Sequence, residues 1–146
     1  MSRPSFAAHA YELACTVAKR STCRRMSVGC ILFDIDRKIL ATGYNGSPQG
    51  FPNCISQACA GADKAANPDA CISVHAEINA LMQCADVTHA HTAFVTHYPC
   101  FRCMKALLNT GVKEIYYTNY TSDQDATQTL LNTTAVTICH YDPENT

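Results

Sequence analysis

The run Thr92-Ala93-Phe94-Val95-Thr96-His97-Tyr98-Pro99-Cys100-Phe101-Arg102-Cys103 decides how this chain is read. Its first five residues form a central strand, and Pro99 fits the first position of a helix that follows at once. Gly111 reads as the stop of that helix. Glu114 to Thr118 then reads as a strand, Asp123 to Leu131 as a helix and Ala135 to His140 as a last strand. A β-α-β-α-β series requires parallel neighbours joined by right-handed crossovers.

Outward from that half, a helix from about His75 to Cys84 precedes the central strand. Val28–Phe33 and Ile39–Thr42 flank Asp34-Ile35-Asp36-Arg37 as an antiparallel hairpin. Ala7, Ala8, Tyr11, Ala14, Cys15 and Ala18 recur at helical spacing, so residues 5–20 form an amphipathic helix on the sheet. The order predicts an α/β fold with three layers, α/β/α, around a five-stranded mixed sheet with helices on both faces. Residues 48–72 lack periodicity and contain Pro48, Pro52 and Pro68, which predicts a long loop, functional or stapled. The tail from Tyr141 to Thr146 reads as loose.

A chain of 146 residues suits one domain spanning 1–146. Its hydrophobic fraction of 47%, against 16% charged, leaves surface for self-association. The net charge of −1 speaks against a nucleic-acid partner. Lys19, Arg20, Arg24 and Arg25 gather basic charge in one segment, a cluster suited to a phosphate rather than to a duplex. No apolar run approaches the ~20 residues of a membrane span and no secretory leader is legible, which predicts a cytoplasmic protein without a membrane partner. In that compartment ten cysteines point to metal before disulfides.

His75-Ala76-Glu77 and Pro99-Cys100-x-x-Cys103 together supply that metal's chemistry. His75, Cys100 and Cys103 make three zinc ligands, and three leave a fourth position open, as catalytic zinc requires. Glu77 is then free to act as acid and base. His75 and Glu77 stand roughly 200° apart around a helix, so they share a target only off its end. Two helix N-termini converging on one metal would also favour the thiolates. Read separately, Cys-x-x-Cys could be a redox pair.

Cys23, Cys54, Cys59 and Cys71 could close a second, structural zinc site, or could be unrelated buried thiols. Cys15 reads as core. Gly43-Tyr44-Asn45-Gly46-Ser47-Pro48 follows a strand end, where α/β proteins place binding residues. His97, beside the zinc motif, either lines the pocket or does not. His9, His89, His91 and His140 read as surface or satisfied core residues.

Arg20-Ser21-Thr22-Cys23, Val28-Gly29-Cys30-Ile31-Leu32, Ala41 to Pro48, His75 to Ala80 and Pro99 to Cys103 carry a resemblance to the deoxycytidylate deaminases, zinc enzymes of the cytidine deaminase-like superfamily in the small bacterial and phage style. It spans residues 5–141, with Gly-Tyr-Asn-Gly as the discriminating piece. The resemblance implies hydrolytic deamination of dCMP to dUMP and ammonia, supplying dUMP for thymidylate synthesis, with Glu77 moving the protons. The competing substrates are free (deoxy)cytidine and a nucleic-acid base. It further implies contacts from the Ala76 amide to the base carbonyl, from a carbonyl near Tyr98 to the amine, from Asn45 to the sugar, and from Ser21, Arg24 and Tyr120 to the 5′-phosphate. Arg24 departs from members that carry a small or apolar residue there. A homohexamer is implied too, activated by dCTP with Mg2+ and inhibited by dTTP, with effectors near Gly43, Tyr44, Gly46 and Ser47.

Overall fold

The computed structural model describes residues 2–63 and 70–145, so Pro68 of the 48–72 loop lies outside the described residues. Helix α1 (Phe6–Ala18) starts where the Ser5 hydroxyl accepts the Ala8 N–H at 3.1 Å. Its small face, Ala10, Ala14 and Ala18, is buried. Close approach to the sheet follows, since a Cβ at Gly29 would lie 2.1 Å from the Ala14 carbonyl oxygen.

Strands β1 (Gly29–Phe33), β2 (Ile39–Tyr44), β3 (Thr92–His97), β4 (Glu114–Asn119) and β5 (Thr137–His140) form one sheet in the order β2-β1-β3-β4-β5. The first hairpin is antiparallel, β1 is antiparallel to β3, and β3, β4 and β5 are parallel. Alternation splits β1 between two cores. Ile31 and Phe33 join Ala10, Ala14, Phe94 and Tyr141 under α1. Cys30 and Leu32 face the opposite core, which α2 (Ala76–Gln83), α3 (Phe101–Leu108) and α4 (Gln124–Asn132) cover with Ala80, Met104, Leu107 and Leu131. Among the described residues both faces are covered, one by a single helix and the other by three. None of the described helices is long and apolar enough to cross a membrane.

Several expectations shift. Strand β2 runs on through Gly43 and Tyr44, which pair with Cys30 and Gly29. Gly43 therefore lies within the strand and not past its end; a Cβ there would stand 2.2 Å from the Ala76 carbonyl oxygen, so α2 lies against it. Pro99 lies one residue before the N-cap, Cys100, because α3 begins at Phe101. Asn109, not Gly111, caps the end of α3. Gly111 serves close approach instead, since its Cβ would meet the Thr88 carbonyl oxygen at 2.1 Å. The tail is not wholly loose: Tyr141 is buried against Tyr11 and Phe94, and its N–H donates to Tyr117 O at 2.8 Å.

These directions place the functional elements. Strand β2 is antiparallel to β1, which is antiparallel to β3, so β2 runs with the parallel half. The C-terminal ends of β2, β3 and β4 thus share one edge with the N-termini of α2 and α3. Open α/β sheets bind ligands at such an edge.

Candidate active site

His75 and Cys100 occupy the same position on two helices. Each is an N-cap with extended backbone, at φ −69° and ψ 153° for His75 and φ −65° and ψ 164° for Cys100. Neither side chain caps its own helix. They turn toward each other instead: His75 Nδ1 lies 3.5 Å from Cys100 Sγ and 3.4 Å from Cys103 Sγ. The Cys-x-x-Cys spacing is that of an N-cap and the third helical residue, which share one side of the first turn. All three ligand atoms lie within 4.8 Å of one another.

The protonation of the cluster follows from this crowding. Hydrogen bonding from Cys103, then from His75, holds the Cys100 thiol down at about 4, so a thiolate is present at neutral pH. Beside that thiolate, the Cys103 thiol is pushed up. His75 is raised, chiefly by its hydrogen bond to Cys100. One thiolate, one retained proton and an imidazole make a donor set that a divalent cation would fully deprotonate. That composition, N and two S with room for a further ligand, fits zinc.

Glu77 sits in the first turn of α2 and is only 4% exposed. Burial pushes its carboxyl up from 4.5, and the Cys100 charge adds to this. A carboxyl held nearer neutrality can both give and take a proton. The neighbouring Ala76 N–H is among the first-turn amides that no helical carbonyl accepts.

These groups open into a cavity of about 360 Å3 whose walls include Arg25, Asn45, Ala76, Tyr98, Tyr120 and Asp123. The size falls at the lower end of small-molecule sites. Asn45 holds the far wall, its Oδ1 accepting the Val28 N–H at 2.8 Å and its Nδ2 donating to Met26 O at 2.8 Å. Tyr98 is buried and its hydroxyl meets Thr127 Oγ1 at 2.6 Å. Tyr120 is 61% exposed at the mouth and stacks on His140 at 4.6 Å.

Other expected contacts are not brought to this cavity. Ser21 is buried and accepts the Cys23 N–H at 3.2 Å, and Arg24 turns to Ile55 O at 3.1 Å. Neither lines the wall; Arg25 does, while also donating to Gly61 O at 2.9 Å. Gly43, Tyr44, Gly46 and Ser47, expected near an effector and not at the substrate, lie outside this wall. Tyr44 O accepts Asn79 Nδ2 at 2.8 Å, Gly46 bridges to Val74, and Ser47 N donates to Thr22 Oγ1 at 3.1 Å. Thr121, Ser122 and Asp123 line the wall although the sequence reading did not single them out. Their position just past the end of β4 was the available signal.

Cys23, Cys54, Cys59 and Cys71 line a second, small cavity of about 10 Å3, which shares Cys23, Arg25, Cys71 and Ser73 with the wall of the first. Cys54 Sγ lies 3.8 Å from Cys59 Sγ. The Cys59 thiol is lowered, first by the Ile72 amide.

A mixed sheet with a histidine and a Cys-x-x-Cys pair at two convergent helix N-termini defines the zinc-dependent deaminase class. Residues 4–119 match the cytidine and deoxycytidylate deaminase zinc-binding region, and the chain belongs to that family. It is 36% identical to the deoxycytidylate deaminase of Mycobacterium phage D29, over 80% of this chain and 97% of that one. Identity to the Schizosaccharomyces pombe deoxycytidylate deaminase is also 36%, over 98% of this chain but only 46% of the relative's length. The crystal structure of the cyanophage S-TIM5 dCMP deaminase in complex with dCMP and dUMP superposes with a TM-score of 0.78 at 32% identity, covering 97% of this chain and all of that one.

Proposed function

We propose that this chain hydrolyses dCMP to dUMP and ammonia as a cytoplasmic enzyme. The observation that carries the reading is the buried Glu77 carboxyl beside the His75, Cys100 and Cys103 cluster at a nucleotide-sized cavity. Its likeness to a protein crystallised with dCMP and dUMP supports the choice of substrate. His75, Cys100 and Cys103 would hold zinc, a Lewis acid that brings the pKa of water down to roughly 7. Glu77 takes a proton from the attacking water and delivers it to ring N3. It then takes the remaining proton of that water's oxygen, now on C4, and passes it to the amine as the C4–N bond breaks and the C4 carbonyl forms. The Ala76 amide holds the base carbonyl, a carbonyl near Tyr98 the amine, and Asn45 the sugar. Arg25 joins Tyr120 on the phosphate side, since Arg25 rather than Arg24 lines the wall.

Ammonia release from dCMP, deoxycytidine and a cytosine-containing oligonucleotide is the test. Preference for dCMP is expected; equal turnover of deoxycytidine, or turnover of the oligonucleotide alone, would replace the reading.

The proposal includes a structural zinc on Cys23, Cys54, Cys59 and Cys71, supported by their gathering around one cavity. On the resemblance it extends to a homohexamer activated by dCTP with Mg2+ and inhibited by dTTP. Sigmoidal dCMP saturation, shifted oppositely by the two nucleotides, is expected. Hyperbolic curves indifferent to both would remove that extension alone.

A further inference from the structure

His97 also lines the large cavity, three residues before Cys100 on the end of β3. It shares a strand face with Ala93 and Val95, which point into the core covered by α2 to α4. Its Nδ1 lies 2.9 Å from Thr96 Oγ1. That hydroxyl is itself buried, and it accepts the Gly29 N–H at 3.1 Å.

Counting protons settles the direction of this relay. The Thr96 hydroxyl has a single hydrogen to donate. Among the described residues its partners are Gly29 N, a donor, and His97 Nδ1. If Nδ1 carried the ring proton, the buried threonine hydrogen would have no acceptor, which costs about as much as a lost hydrogen bond. Nδ1 is therefore the acceptor, and the proton sits on Nε2. The Nδ1 edge is taken up by buried Thr96, so the opposite edge is the one left to the cavity. Burial lowers the imidazole's proton affinity and keeps the ring neutral.

We infer that His97 offers its Nε2–H to an uncharged acceptor atom on the base or sugar of the bound nucleotide, and that Thr96 is the positioning residue that fixes this tautomer. The inference rests on the proposed reading of the cavity as a nucleotide site. A phosphate dianion opposite the ring would favour imidazolium, which burial opposes; an uncharged oxygen or nitrogen is matched by a neutral donor.

Long-range 15N correlation on the histidine rings of the full chain, with and without dCMP, tests the inference without relying on turnover. An unprotonated Nδ1 and protonated Nε2 are expected, with Nε2 shifting as dCMP is added. Thr96→Val should mix the tautomers and Thr96→Ser restore them. A wild-type ring protonated at Nδ1, or one indifferent to dCMP, overturns the inference. In binding assays His97→Phe should weaken dCMP and deoxycytidine alike by about tenfold, the scale of one hydrogen bond, and His97→Gln should recover most of it. A loss confined to dCMP would assign the ring to the phosphate and overturn the uncharged acceptor. If neither compound were deaminated, the proposed function would fall, while the response of His97 to dCMP would still decide this inference.

Discussion

The two cysteine clusters of this chain are built in opposite ways. His75, Cys100 and Cys103 are N-cap or first-turn residues of α2 and α3, held by strands and helices that pack for their own reasons. Cys23, Cys54, Cys59 and Cys71 stand on connecting segments that touch through a few backbone bonds, such as Thr22 N to Asn45 O at 3.2 Å and Ile55 N to Thr22 O at 3.1 Å. One site is preorganised by the fold. The other has Cys54 buried but Cys23, Cys59 and Cys71 only partly so, and the proposed metal would supply the order that packing does not.

Removing groups from each cluster should therefore have different readouts. The largest effect is expected at the first. His75→Ala or Cys100→Ala loses the catalytic metal and all turnover, whereas Glu77→Gln keeps zinc and drops kcat by ~10²–10⁴-fold, the usual worth of a general acid and base. Metal analysis beside single-turnover kinetics checks this; near-normal turnover by Glu77→Gln would refute the assigned role. At the second cluster, Cys59→Ala should cost zinc and thermal stability, about 2–4 °C in Tm per kcal/mol lost, with turnover persisting in the folded fraction. An unchanged zinc content would remove the structural site.

A smaller test lies between the two. Gly43→Ala drives a Cβ to 2.2 Å from the Ala76 carbonyl oxygen, and overpacking of this kind costs ~1–3 kcal/mol. Because Ala76 adjoins Glu77, kcat should fall along with Tm; a drop in Tm alone would show that α2 yields without disturbing the site.

The subtlest prediction concerns pH. Burial raises the Glu77 carboxyl above 4.5, so in metal-free protein its favourable contribution is complete below that ordinary value and is lost as pH rises through the raised one. Metal-free Glu77→Gln should therefore melt above wild type at neutral pH and level with it in acid. Equal melting at both would show that the ionised carboxylate carries no penalty.

The helix-borne cluster was legible because its spacing is local. Two residues separate Cys100 from Cys103, and one separates His75 from Glu77, so helical geometry alone constrains them. Element order, the first hairpin and the parallel half were equally legible from period and turn residues, whereas the antiparallel pairing of β1 with β3, which joins the two halves, is a long-range contact that no local pattern carries. The phosphate side was not: Arg24 and Arg25 adjoin in sequence, and only tertiary bonds to Ile55 and Gly61 decide which one meets the cavity. The glycines misled for a similar reason. Gly43 is expected past a strand end and Gly111 at a helix stop, but what each accommodates is backbone distant in sequence, at Ala76 and Thr88.

Tyr141 carries a consequence for synthesis. The ring packs between Tyr11 and Phe94, so the core beneath the first helix is finished by a residue that follows all five strands in chain order. A nascent chain that has emerged only through β4 still exposes those rings, however complete the opposite face is. Folding during synthesis thus returns to the face where it began, and a chain stalled short of residue 141 should bind hydrophobic dye that a chain extended through that residue does not.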